Sequence, residues 1–268
     1  MRSIWLASIM ILGCIVNPAH AANVLFGIAE GVAQQSSFGD LQDKYQPLAD
    51  YLGHVLKAKI TLESSQSIKS ALANLAKDRY QLMFCRPASV TAKAIRDDKY
   101  QLVAMGDGKN GANFIVRKDS GFKNPQDILS HTIAMPQPDT FIAKVGLATI
   151  RDMGGKLAPG QVHYAHYQEA INFMVENKFV DIGVVAPVMV KPWLAKGGVV
   201  LFKSKNLPFW AIIASPKVSK DEVRKMQKAL LDMGNTDEGI KMLAKIGVKG
   251  WLAGNPQDYV DMLTWLGI

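Results

Sequence analysis

The chain has 268 residues, 49% of them hydrophobic, with 31 Lys and Arg against 23 Asp and Glu for a formal charge of +8, and two cysteines. That length and apolar content supply a core for one large or two smaller domains, and exclude a coiled coil, a collagen and a disordered polymer. No stretch reaches the ~18 uninterrupted apolar residues of a membrane span, which excludes a polytopic membrane protein.

The first segment reads as a leader. Arg2 precedes an apolar run over residues 4–16, and Ala19-His20-Ala21 gives the small-x-small pattern of a cleavage site, so a signal peptide is expected over residues 1–21 and export to the periplasm follows. A second reading, a lipoprotein cut at Cys14, is weakened by the bulky Leu12. Losing the leader removes Arg2 and Cys14, leaving a formal charge of +7 and Cys85 alone, so no internal disulfide is expected. No Lys/Arg run marks a nucleic-acid surface, and an exported chain is not expected to meet nucleic acid.

From residue 23 the pattern alternates. A strand over 23–28 leads into a polar loop over 30–40. Pro47, Leu48, Tyr51, Leu52 and Val55 fall at helical spacing, and a strand over 59–63, a helix over 67–77 and a strand over 80–85 follow. Next come a helix over 88–96, a strand over 101–105, a glycine-rich turn over 106–111 and an extended run over 114–117. Asn124-Pro125 opens a helix. Beyond it the spacing predicts strands over 132–135, 162–165 and 180–185, with helices over 141–153 and 167–176 between them. This is βαβ order. Strands over 199–203 and 210–215 precede an all-helical end: a helix from the Ser219/Glu222 capping box to Met233, another over 236–246, and a last one over 256–266 capped by Asn255.

Enzyme templates fail: G-x-S-x-G, the phosphate loop, H-E-x-x-H and C-x-x-C are all absent. His163, His166 and Glu169 have metal spacing only on a helix. The run at 162–165 reads as a strand, where residues three apart point to opposite faces. No cofactor or metal is expected. Cys85 ends an apolar strand just before Arg86-Pro87, at the position where α/β proteins hold ligands, although a free cysteine also packs well as a small hydrophobe. Trp210 lies between two strands where the chain crosses back between lobes.

Four stretches resemble a known family. They are Tyr45-Gln46-Pro47-Leu48-Ala49-Asp50-Tyr51-Leu52, then Arg86-Pro87-Ala88-Ser89, then Asp119-Ser120-Gly121-Phe122 with Asp127-Ile128, and Glu169-Ala170 through Val180-Asp181. Gly250-Trp251 and the final helices are similar too. In this order they resemble the periplasmic solute-binding proteins of the phosphate, phosphite and phosphonate type that serve ABC transporters. The resemblance implies a two-lobe α/β periplasmic binding protein fold (type II), with mixed β-sheets flanked by helices and crossover strands between lobes. Lobe 1 would comprise residues 22–117 with 204–268, and lobe 2 residues 118–203. The ligand would lie between them and select the closed state.

The resemblance also implies where the ligand sits. The family's Ser-Thr-Ser-Gly helix start, which cradles an oxyanion, falls on Thr140-Phe141-Ile142-Ala143. The tyrosine after the turn serine Ser89 falls on Val90, the histidine before the second-lobe helix on Gln168, and two acids that meet a ligand amine on Val188 and Trp210. Burying an oxyanion without donors costs several kcal/mol, so these changes favour a partly apolar solute. Cys85, Arg86, Ser89, Thr140, Tyr167 and Gln168 join Phe141, Ile142, Val90, Val188 and Trp210 in the expected site. The expected function is capture of a small-molecule solute by a monomer for an ABC permease in the inner membrane, with no chemistry of its own. The alternative is a sensor subunit, for an oxyanion or for arsenite through Cys85, that signals to a membrane histidine kinase.

Overall fold

A computed structural model describes residues 23–30, 37–65 and 67–268, so the expected leader and Cys14 lie outside the described residues. Strands β1 (Asn23–Ala29), β2 (Lys59–Ser64) and β3 (Leu82–Cys85) pair in parallel. They are linked by α1 (Phe38–Leu56) and α2 (Ile68–Ala76). After α3 (Ala88–Arg96) and β4 (Gln101–Gly106) the chain leaves this sheet. It builds a second from β5 (Asn113–Val116), β6 (Ile133–Pro136), β7 (Val162–Ala165), β8 (Ile182–Val185) and β9 (Val199–Lys203), in the order β7-β6-β8-β5-β9. Helices α4 (Phe141–Asp152), α5 (Gln168–Glu176) and α6 (Val190–Ala195) flank it. The chain then returns: β10 (Ala211–Ala214) inserts antiparallel between β3 and β4, and β11 (Trp251–Leu252) pairs with β4. The first sheet is thus β11-β4-β10-β3-β1-β2. Helices α7 (Lys220–Asp232), α8 (Asp237–Ile246) and α9 (Pro256–Leu266) complete the chain.

Five strands, β3, β5, β6, β8 and β10, are buried along their whole length, among them the continuous apolar runs Leu82-Met83-Phe84-Cys85 and Ile182-Gly183-Val184-Val185, as expected where helices cover a sheet on both faces. On one face of the first sheet, Leu41, Tyr45, Leu48 and Leu52 of α1 meet Phe26, Phe84, Met226 and Leu243. On the other, Ala71 and Leu75 of α2 pack with Tyr80, Met83, Cys85 and Val90. The second sheet is sandwiched between α4 on one face and α5 with α6 on the other.

Three expectations are corrected here. Helix α1 begins at Phe38, inside the loop expected over 30–40, because Ser37 and Asp40 form a reciprocal capping box. Asn124-Pro125 opens a short 3-10 turn, Pro125–Ser130, rather than an α-helix. Residues 113–116, expected in lobe 1, are hydrogen-bonded to β8 and β9 in the second sheet, since the chain has already crossed between Gly106 and Asn113.

The two crossings run side by side. Asn110 and Leu207 form an antiparallel bridge, Asn110 Nδ2 donates to the Pro208 carbonyl at 2.7 Å, and Ser204 Oγ accepts from the Ala112 amide at 3.0 Å. Helix α9 spans both halves: Tyr259, Met262 and Leu263 share one core with Ala88 and Ala92 of α3 and with Ile142 and Val145 of α4. At its far end the Trp265 indole donates to Asp152 at 2.5 Å.

Candidate functional site

In open α/β sheets the crevice beyond the carboxyl ends of parallel strands holds ligands. In the first sheet those ends are Ala29-Glu30 of β1 and Cys85-Arg86 of β3. The Arg86 amide bonds the Ala29 carbonyl at 2.9 Å, carrying the β1–β3 pairing one step beyond the strand and setting Glu30 beside Arg86. On the other flank, Ala211 of β10 pairs with Cys85, which delivers Trp210 next to Arg86. The Arg86 guanidinium carbon lies 4.0 Å from the centroid of the Trp210 ring, and that ring stacks on Phe209 at 4.3 Å.

Glu30 collects charge. Its Oε1 accepts from Lys44 Nζ at 2.6 Å and from Tyr45 Oη at 2.5 Å, and lies 3.3 Å from Arg86 Nη1. Its side chain is 8% exposed. Burial alone would raise the Glu30 carboxyl, but the hydrogen bonds from Lys44 and Tyr45 and the charges of Lys44 and Arg86 outweigh it and hold the group below its ordinary value. Burial first, then the bond to an ionised Glu30, pushes the Tyr45 phenol up. Arg86 and Trp210 are among the residues expected at the site from the sequence; Glu30 and Lys44 are not, and Tyr45 enters there only within a helix signature. The available signal was an acid placed directly after an apolar strand.

Other expected residues divide between surface and core. Ser89 lies in the first turn of α3, whose cap residue Pro87 makes no side-chain bond. Cys85 and Val90 belong to the core instead: both pack with Ala71, Leu75, Tyr80 and Met83. Burial pushes the Cys85 thiol up to about 12. Along β3, neighbours face opposite sides; Cys85 turns inward, and Arg86, the next residue, reaches the site.

In the second half, Thr140 caps α4. Its hydroxyl donates to the Gln137 carbonyl at 2.8 Å and accepts from the Ala143 amide at 3.3 Å, so the hydroxyl proton is committed locally. The first-turn amides of Phe141 and Ile142 remain outside the helical ladder. Phe141 is half-buried, whereas the Ile142 side chain joins the core. Tyr167, the cap residue of α5, is 67% exposed with its ring edge-to-face on His166. Gln168 ties the start of α5 to the end of β8 by accepting from the Ala186 amide at 2.7 Å, and Val188, on the next turn, is 75% exposed. His163 and His166 point to solvent, and no His, Cys, Asp and Glu cluster fit for a metal occurs among the described residues. Nor does any described helix have the length and apolarity to cross a membrane.

Known structures share this fold at low identity. XAC2383 from Xanthomonas citri, solved with ATP, superposes with a TM-score of 0.73 at 11% identity, over 91% of this chain and 97% of its own. PhnD1 from Prochlorococcus marinus, solved with methylphosphonate, gives 0.68 at 8%, over 91% and 96%. The binding protein component PA3383 of a Pseudomonas aeruginosa ABC phosphonate transporter gives 0.62 at 16%, over 91% and 85%. No curated protein sequence matches this chain. The family model for the phosphonate ABC transporter periplasmic substrate-binding protein matches residues 31–259. With that match running over most of the chain, the chain belongs to the periplasmic substrate-binding protein family of phosphonate ABC transporters.

Proposed function

We propose that this chain takes up a small organic solute with an anionic end and an apolar body, closes two lobes on it, and passes it to an ABC permease in the inner membrane. Lobe 1 is the half built on the first sheet, lobe 2 the half built on the second, and the protein works as a periplasmic monomer. The observation that carries this reading is the Arg86 guanidinium held 4.0 Å over the Trp210 ring at the carboxyl ends of the first sheet's strands. Arg86 fixes the anionic end, and Trp210 with Phe141 offers the apolar wall. Ser89, the first-turn amides of α4, Gln168 and Tyr167 supply the remaining polar edge. Similar folds hold ligands as unlike as methylphosphonate and ATP, so the lining residues decide the cargo. With one committed hydroxyl at the start of α4 and Phe141 and Ile142 beside it, the lining is poorer in donors for a bare phosphonate than the Ser-Thr-Ser-Gly start. The family transports solutes and is not one of enzymes. An arsenite sensor would need a thiolate in the cleft, and Cys85 is buried and protonated, so no observation favours that version.

A thermal-shift screen of the protein against phosphate, phosphite, phosphonates, arsenite, amphiphilic organic acids and amines tests the reading, because a ligand that binds only the folded state raises the melting temperature. Organic acids are expected to give the largest shift, lost in Arg86→Ala. A shift confined to phosphonates or phosphate overturns the apolar pocket, and silence across the panel overturns solute binding itself.

A further inference from the structure

We infer that Glu30 sets the charge of the accepted ligand, making this a site for a monoanion and turning dianions away. The inference deepens the reading above and rests on it. Two cations, Lys44 and Arg86, converge on one oxygen of a single buried carboxylate, at 2.6 and 3.3 Å. One carboxylate against two cations leaves one positive charge for a ligand. The groups that the second lobe offers to the proposed site, the amides of Phe141 and Ile142 and the carboxamide of Gln168, carry no charge, and the charged residues beside them, Asp139 and Glu169, are acids that add no positive charge for a dianion. A sulfonate or carboxylate therefore completes the balance. A doubly charged phosphonate brings one negative charge too many, against a carboxylate that is already ionised and cannot leave.

With its guanidinium carbon 4.0 Å from the Trp210 ring centroid and Nη1 paired to Glu30, Arg86 is held in place and keeps its remaining N–H groups for one anionic group. Glu30 is thus a positioning residue as well as a counter-charge.

Binding of benzenesulfonate and of phenylphosphonate, the latter above its second ionisation, tests this by calorimetry on the full protein. The wild type is expected to prefer benzenesulfonate by at least about tenfold. Glu30→Gln is expected to reverse or erase that ratio, Lys44→Gln to weaken both probes, and the double variant E30Q/K44Q, which restores one net positive charge, to recover the sulfonate preference. Recovery in the double variant separates charge from misfolding. Equal affinity for both probes in the wild type, or a ratio unmoved by E30Q, overturns the inference. If both probes are silent while another solute in the screen binds, the inference falls and the proposed function stands. If nothing in the screen binds, the proposed function falls first.

Discussion

Arg86 lies with its guanidinium 4.0 Å from the centroid of the Trp210 ring, and the two residues reach each other from adjacent antiparallel strands. The pairing is a direct result of register: Cys85 faces Ala211, so the residue after the one and before the other meet at the strand end. A planar cation on an aromatic face is worth about 0.5–2 kcal/mol and Trp210 also packs on the first-sheet core, so Trp210→Ala is expected to lower the melting temperature and, by releasing Arg86 from its position, to weaken benzenesulfonate binding. Arg86→Lys is expected to cost more than that, because an ammonium neither stacks flat nor presents a fork to an anion. Calorimetric titration of both variants checks it; unchanged affinity in R86K would remove Arg86 from the site.

Glu30 couples the site to acid stability. Its carboxyl lies below the ordinary value in the folded chain, so its ionisation stabilises the fold above the unfolded-state value, and that contribution fades as pH falls through the folded value. Urea unfolding from neutral to acid pH is expected to show the wild type losing stability on the acid limb. Glu30→Gln starts lower at neutral pH, where Lys44 and Arg86 face each other without a counter-charge, and falls less steeply. Parallel curves for the two proteins would show that the Glu30 bonds contribute nothing to folding.

Much of this architecture is legible in the residues. The runs at 82–85, 101–106 and 182–185 are long enough and apolar enough to read as buried strands, and the helices that follow announce themselves by spacing. What stays hidden is short or tertiary. Trp251–Leu252 is two residues of strand, below any periodic signal, and Val190–Ala195 is a helix of six with Pro192 inside it. The start of α1 was obscured because Ser37 and Asp40 sit among polar residues that also suit a loop. In the site, Arg86 and Trp210 follow from their places beside strands. Glu30 does not, because Lys44 and Tyr45 lie 14 and 15 residues away in the chain and meet it only when α1 folds back over β1. Cys85 packs in the core for a related reason: position at a strand end places a backbone near the crevice, and only the pleat decides which side chain enters it.

The Cys85 thiol, pushed up by burial to about 12, stays protonated at neutral pH. Alkylation by iodoacetamide is therefore expected to be very slow in the folded protein and to accelerate with urea in step with unfolding. Since the folded value lies above the ordinary 9.0, this group's contribution to stability is complete below about 9 and is lost as pH rises toward about 12. Cys85→Ala is expected to flatten that alkaline decline. Rapid labelling of the native chain would mean that the thiol reaches the cleft after all.

Gly108 lies in the first crossing, and a Cβ there would stand 2.4 Å from Phe209 Cε1 and 2.6 Å from Cζ. Phe209 is the ring on which Trp210 stacks, so the crossing, the aromatic pair and Arg86 form one packed sequence of contacts. Gly108→Ala is expected to displace Phe209, destabilise the fold by about 1–3 kcal/mol as overpacking does, and weaken benzenesulfonate binding without touching a charged residue. The companion change Phe209→Leu in the Gly108→Ala background makes room for the methyl group and is expected to recover stability ahead of affinity, because the stack beneath Trp210 is not rebuilt. Urea unfolding and calorimetry on the two proteins separate these effects. Full recovery of affinity in the double variant would show that Phe209 fills space under Trp210 and does not position it.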